Sequence, residues 1–246
     1  MSQICVFPLG VTPAISAASA IIRNHHIPIA GEPGPEVTHL LLDVPSFRPE
    51  PHPLLAQALQ TLPKDVTILG GNLNHPLLSG YQRFDLLKQE HYIAQNAAIT
   101  AHCALKYAAP LLKATFADTK TLILGWGRIG KCLARLLKAL DCPVTVAARR
   151  EADRCILEAM GIPAVDHSQI QLRKYNLLFN TVPVPILTAG ELDVCPELIK
   201  IDLASGAALP GANVHAARGL PGSLAPESSG KLIAETILSE IKEELP

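Results

Sequence analysis

Gly125, Gly127 and Gly130 stand at G-x-G-x-x-G spacing, directly after the apolar run Thr121–Leu124 and before a stretch carrying Ile129, Leu133, Leu136, Leu137 and Leu140 on one helical face. Each glycine has a physical task there. The first permits a tight turn, the second lets backbone approach a pyrophosphate, and the third lets helix and strand pack closely. The pyrophosphate would rest on the free N–H groups at the helix N-terminus. A second apolar run, Val144–Ala147, follows the helix, so the glycines occupy the first turn of a strand–helix–strand unit. Trp126, Arg128 and Ile129 complete the turn, and Arg128 adds positive potential beside the phosphates. The bland alternative is a tight glycine turn that binds nothing.

The end of the second strand selects the dinucleotide. An Asp or Glu there would bind the ribose hydroxyls of NAD and repel a 2′-phosphate. This chain reads Ala147-Ala148-Arg149-Arg150 instead. Guanidinium forks pair with phosphate, so Arg149 and Arg150 predict NADP. Their competing role is to solvate the start of the next helix.

In open α/β sheets ligands bind outside the carboxyl ends of the strands. That rule selects Asn180 and Thr181 after the fourth strand of this half, with Val182 and Pro183 continuing the cofactor-side loop. Asn180 and Thr181 could equally close a turn with their own side chains. Ser205-Gly206-Ala207 follow the fifth strand, and Gly219-Leu220-Pro221-Gly222-Ser223 the sixth. Asp202, inside the fifth strand, reads as either a site group or a satisfied buried carboxylate. On the helix expected between domains, Asn96 and Thr100 offer hydrogen bonds, and His102 is the group able to move a proton near neutral pH. Asn96, Thr100, Ser205, Gly219, Pro221, Gly222 and Ser223 are therefore the substrate-side candidates, and His102 the candidate base, its alternative being a structural or surface histidine. Cys103 adjoins His102, but successive helical residues do not face each other, so no Cys–His nucleophile pair is expected.

These groups need two α/β layers to position them. The first half alternates strand candidates (Ile4–Phe7, His26–Ala30, Thr38–Val44, Val66–Leu69) with helices from Pro13 to about Asn24 and from Leu54 to Leu62. A long helical linker is expected over about 81–112, with a break near Pro110. Six strands follow: Thr121–Leu124, Val144–Ala147, Pro163–Val165, Leu177–Asn180, Ile199–Leu203 and Val214–Ala217. That is the element list of a doubly wound parallel sheet of order 3-2-1-4-5-6. An amphipathic helix, Ser228–Leu245, ends the chain. The expected division is 1–114 for an N-terminal α/β domain with its linker, and 115–246 for a Rossmann dinucleotide-binding domain carrying the C-terminal helix.

Composition excludes several classes. With 246 residues, 48% hydrophobic content and a net charge of −1, nothing suggests disorder, nucleic acid or an anionic membrane as partner. Pro8, Gly10 and Pro13 interrupt the uncharged N-terminus, which reads as strand, turn and helix rather than as a signal peptide. No clean apolar run of membrane-spanning length occurs. None of the six cysteines forms C-x-x-C, and no metal-ligand spacing appears with the nine histidines, so no metal site is expected. Reduced core cysteines in a cytoplasmic protein are the reading.

Four stretches resemble one family, the A subunit of dipicolinate synthase. They are Asp85-Leu86-Leu87 with Asn96-Ala97-Ala98-Ile99-Thr100-Ala101; Gly125–Gly130 with Ala147-Ala148-Arg149; Asn180-Thr181-Val182-Pro183 with Ile201-Asp202-Leu203-Ala204-Ser205; and Gly219–Pro226 running into the last helix. The resemblance implies a flavodoxin-like N-terminal domain joined to an NADP-binding Rossmann domain. It implies oxidation of a dihydrodipicolinate-type cyclic diacid to dipicolinate, in endospore formation (sporulation), by a homo-oligomer working with a B-type subunit.

The chain departs from the family at two places. The family's first turn tends to carry an Asp and an Arg, where this chain has Pro8-Leu9-Gly10-Val11-Thr12-Pro13. Its linker usually reads Thr-Ala-Glu-Gly, where this chain has Thr100-Ala101-His102-Cys103. A non-catalytic or regulatory NADP-binding paralogue is thus the alternative. D-2-hydroxy acid dehydrogenases share the two-domain plan, but they carry an Arg after the fifth strand and a late His. Ser205-Gly206 stand in place of that Arg, and no His occurs in Gly219–Pro226.

Overall fold

The computed structural model describes residues 4–47, 50–206 and 208–243. Ala207 and the expected last helical residues Glu244 and Leu245 lie outside these. The chain forms two units, one of residues up to Asn96 together with those from Pro221, the other Ala97–Leu220.

The first unit opens with β1 (Val6–Pro8), α1 (Pro13–Asn24), β2 (His39–Leu41), α2 (Leu55–Thr61), β3 (Thr67–Gly70) and β4 (Gln82–Asp85). The strands form one parallel sheet in the order β1-β2-β3-β4. The expected strand His26–Ala30 shrinks to a single parallel bridge, Val6 to Ile29, because Pro28 interrupts the ladder's donors. Counting that bridge as a second strand gives the order 2-1-3-4-5, the flavodoxin-like arrangement. Gln82–Asp85, expected as helix, is an edge strand. Its polar, partly exposed residues hide the alternation that marks an inner strand. Phe7, Leu40, Leu42, Leu55, Ile68 and Leu78 pack the core on one side of this sheet.

Next, α3 (Glu90–Ala108) runs out of the first unit into the second. It ends in a short 3-10 turn containing Pro110, where the ring ends regular helix as expected. The second unit continues with β5 (Thr121–Leu124), α4 (Arg128–Ala139), β6 (Val144–Ala147), α5 (Glu151–Ala159), β7 (Ala164–Val165), β8 (Leu177–Asn180), α6 (Ala189–Asp193), β9 (Ile199–Asp202) and β10 (Val214–Ala216). All pairings are parallel, in the order β7-β6-β5-β8-β9-β10. Renumbered along this half, that is the predicted 3-2-1-4-5-6. Strands β5 and β8 are buried throughout, as a sheet covered on both faces requires.

Helix α7 (Leu220–Leu224) leads into α8 (Pro226–Glu243), and α8 belongs to the first unit rather than to the Rossmann half where it was expected. It packs on α1. Gly230 makes the approach possible. A Cβ there would lie 2.6 Å from the Ala14 carbonyl and 2.6 Å from the Ala17 Cβ. The small residues Ala14, Ala17 and Ala18 of α1 meet the glycine, while Ile233, Ile237 and Ile241 bury the apolar stripe of α8. Among the described residues, no helix is long and apolar enough to cross a membrane.

Candidate functional site

The turn from β5 into α4 gives each glycine a distinct geometry. Gly125 holds φ at +99°, and a Cβ on it would lie 2.6 Å from Val182 Cγ2 and 2.8 Å from Thr181 Oγ1. A Cβ on Gly130 would collide with the Gly125 carbonyl, so helix and turn are in backbone contact. A Cβ on Gly127 would meet nothing within 4 Å. That open position is the N-cap of α4, and no side chain caps the helix. The first-turn N–H groups therefore face outward without an intrahelical acceptor, the arrangement that receives a phosphate. Trp126 is half-buried, with the Lys131 ammonium 5.8 Å from its ring centroid. The cradle fits a pyrophosphate.

Strand β6 ends one residue short of the arginines. Ala147 and Ala148 are buried, whereas Arg149 and Arg150 are exposed. Arg150 is the N-cap of α5, but its side chain makes no capping bond. Among the described residues neither guanidinium has an ion pair or hydrogen bond. Arg154 does the structural work instead. Its Nη1 donates to the Ala148 carbonyl at 2.8 Å, the Arg149 carbonyl at 2.9 Å and Asp166 Oδ2 at 3.0 Å. Asp166, after β7, also accepts from the Ser168 backbone N–H and hydroxyl. The two Ser168 bonds, then Arg154, hold its carboxyl below the ordinary value. Asp166 is thus committed to Arg154 and Ser168.

The loop after β8 takes the second of its two readings, a turn closed by its own side chains. Asn180 is fully buried, and both amide hydrogens are spent, on Asp202 Oδ1 at 2.8 Å and on the Val182 carbonyl at 3.0 Å. Its oxygen accepts from the Val182 N–H. Asn180 therefore closes the turn and does not present its amide to a ligand. The Thr181 hydroxyl donates to the Leu124 carbonyl at 2.8 Å and braces the glycine turn. Pro183, beyond them, is exposed.

Asp202 is the satisfied buried carboxylate that its strand position allowed. Besides Asn180, its oxygens accept from the N–H groups of Ala204, Ala208 and Leu209. They also meet Arg218 Nη2 at 3.3 Å. Arg218, missed in the sequence, follows β10 and folds back over the loop after β9. Its Nε donates to the Ala204 carbonyl at 3.1 Å and its Nη2 to the Gly206 carbonyl at 2.7 Å. A lone basic residue after the last strand was the available signal. Ser205, between those carbonyls, is exposed.

The linker residues do not form one group. Thr100 is buried and Asn96 half-buried, each with interactions of its own. They lie four positions apart, hence on one face of α3, with Cys103 and Tyr107 nearby on the same stripe. His102 is exposed. At 3.6 residues per turn, a side chain two positions beyond Thr100 points about 160° away from it. It shares the outer face of α3 with Gln95 and Lys106, so His102 cannot join Asn96 and Thr100 in one site. The substrate candidates also fall in different units, with Thr100, Ser205 and Gly219 in the second and Asn96, Pro221, Gly222 and Ser223 in the first. Pro221, Gly222 and Ser223, expected as a loop, form α7. Gly219 at φ +65° turns the chain, and Pro221 is tolerated in a first helical turn.

In the first unit, the turn lacking the family's Asp and Arg is organised by Asp43, beyond the end of β2. Its carboxylate accepts from the Val11 N–H, the Thr12 N–H and the Thr12 hydroxyl, the last at 2.7 Å. Thr12 is the N-cap of α1, but its hydroxyl goes to Asp43 and makes no capping bond. Four of the six cysteines are buried, Cys132 is half-buried and Cys155 is exposed, and none is disulfide-bonded. Among the described residues, no three metal-ligating side chains cluster.

No family model matches the chain. It is 28% identical over 173 residues to the A subunit of dipicolinate synthase from Bacillus subtilis, a match spanning 65% of this chain and 58% of that protein's length. The crystal structure of the same Bacillus subtilis polypeptide superposes with a TM-score of 0.79 at 20% identity, covering 99% of this chain and 98% of that one. The corresponding dipicolinate synthase polypeptide from Bacillus halodurans gives 0.82 at 20% identity, covering 97% of each. A transhydrogenase from Sinorhizobium meliloti shares the fold at 0.67 and 10% identity, over 98% of this chain and 93% of that one.

Proposed function

We propose, from the premise that this chain is a divergent relative of the dipicolinate synthase A-type family, that it is an NADP-dependent oxidoreductase. Its substrate class is a dihydrodipicolinate-type cyclic diacid, oxidised to the aromatic pyridine diacid. The observation that carries the reading is the pairing of an open, uncapped Gly127 turn with two unengaged arginines at the end of β6. Gly127 and the first-turn N–H groups of α4 hold the pyrophosphate, and Arg149 and Arg150 hold the 2′-phosphate. When bound, NADP supplies the hydride acceptor. Thr181 and Val182 brace the turn on which the cofactor lies, and Ser205 offers an exposed hydroxyl beyond β9. Aromatisation of a dihydropyridine releases one hydride and one proton. With His102 on the outer face of α3, solvent water receives the proton. A homo-oligomer and a B-type partner belong to the same proposal.

The rival is a non-catalytic NADP-binding paralogue, favoured by the changed first turn and by the absence of a linker base on the Asn96–Thr100 face. The test is to supply enzymatically generated dihydrodipicolinate and NADP, with and without a B-type partner, and to follow reduced cofactor and dipicolinate together. Equal amounts of both are expected. Binding of NADP without product under every condition selects the rival.

A further inference from the structure

We infer that Arg218 is a substrate-binding residue, the group that receives a carboxylate of the ligand at the nicotinamide end of the site. The inference rests on the diacid reading above. A doubly wound sheet binds its ligand across the carboxyl ends of the strands, around the switch between β5 and β8. Arg149 and Arg150 mark the adenosine half beside β6, so the reacting end lies toward β8, β9 and β10. A diacid bound there needs a cation, and Arg218 places a guanidinium beside the loop that follows β9.

Its geometry suits the task. Nε and Nη2 are held by the Ala204 carbonyl, the Gly206 carbonyl and Asp202, so the fork is fixed before any ligand arrives. Nη1 takes no acceptor among the described residues, and the side chain is 37% exposed while Asp202 beneath it is 2% exposed. Two N–H donors of an anchored guanidinium therefore point away from the protein's own acceptors. Asp202 fixes the position of the guanidinium from beneath, and its other hydrogen bonds come from Asn180 and three backbone N–H groups. The protein holds the guanidinium by Nε and Nη2, so the free Nη1 is a preorganised, charge-assisted donor to one carboxylate oxygen of a ligand.

The experiment is a binding cycle on the full chain saturated with NADP. Dipicolinate (pyridine-2,6-dicarboxylate) and picolinate (pyridine-2-carboxylate), which differ by one carboxylate, are titrated calorimetrically into wild type and Arg218→Gln. Wild type should bind the diacid about tenfold or more tighter, and Arg218→Gln should shrink that ratio to about threefold or less. NADP affinity should be unchanged, since Arg218 lies in the other half of the site. An unchanged ratio in Arg218→Gln, or an equal loss for both ligands, overturns the inference and leaves the diacid reading standing. Wild type binding neither acid while binding NADP overturns both. Should Arg218→Gln fail to fold, Arg218→Lys decides. It keeps the charge but not the fork, and should lower the diacid preference about threefold; an undiminished preference overturns the inference.

Discussion

Gly127 and Gly130, in one six-residue turn, make opposite predictions because their surroundings differ. Gly127 has extended backbone and open space at its Cβ position. Gly127→Val should therefore melt within a few degrees of wild type, yet lose NADP binding by calorimetry, since the branched side chain occupies the ground of the pyrophosphate. Gly130→Ala drives a methyl into the Gly125 carbonyl and should cost about 1–3 kcal/mol of stability by denaturant titration, whether or not cofactor is present. The strand–turn–helix around the glycines was legible in the sequence because their spacing after an apolar run fixes it. Asn180 closes a turn and His102 lies on the surface, each one of two readings that the sequence left open for a shared reason. Residue type says what a side chain can do, but only the fold says whether its hydrogen bonds are already spent or which face of a helix it occupies. Acid should also act at this scale. Asp166 is held below its ordinary value of 3.8 by Ser168 and Arg154, and Glu191 below 4.5 by the Thr188 N–H and hydroxyl. A depressed carboxyl stabilises the fold above its unfolded value and loses that contribution as pH falls through its folded one. The melting temperature should fall below about pH 4, and less steeply in Asp166→Asn; parallel curves for the two proteins would contradict this.

At the scale of elements, the inner strands were readable and the margins were not. Thr121–Leu124, Val144–Ala147 and Leu177–Asn180 form at the expected bounds because a strand covered on both faces is an unbroken apolar run. Gln82–Asp85 is polar and lies on a sheet edge, so its pattern merges with the helix that follows. The partner of α8 was equally hidden, since an amphipathic stripe records that a helix is covered and not by what. Its specificity lies in Gly230 against Ala14, Ala17 and Ala18. Gly230→Val should force α1 and α8 apart and cost about 1–3 kcal/mol, read as a lowered denaturant midpoint. Gly222→Val on α7, where a Cβ meets nothing, should leave that midpoint unchanged.

At the scale of the molecule, the chain leaves its first unit through α3, builds the second, and returns to finish the first with α8. A cut at residue 114/115 therefore does not yield two self-sufficient pieces. The N-terminal fragment would uncover Ala14, Ala17 and Ala18, which meet Gly230 of α8 in the whole chain. The parallel order of the second sheet, the open Gly127 turn and the paired arginines make one claim together: the second unit binds a dinucleotide that carries a 2′-phosphate. Titrating the full chain with NADPH and with NADH tests that claim most directly. The account predicts that NADPH binds tighter by about tenfold or more, and that Arg149→Ala with Arg150→Ala brings the two affinities together. Equal affinity in wild type, or a preference that survives loss of both arginines, would contradict it.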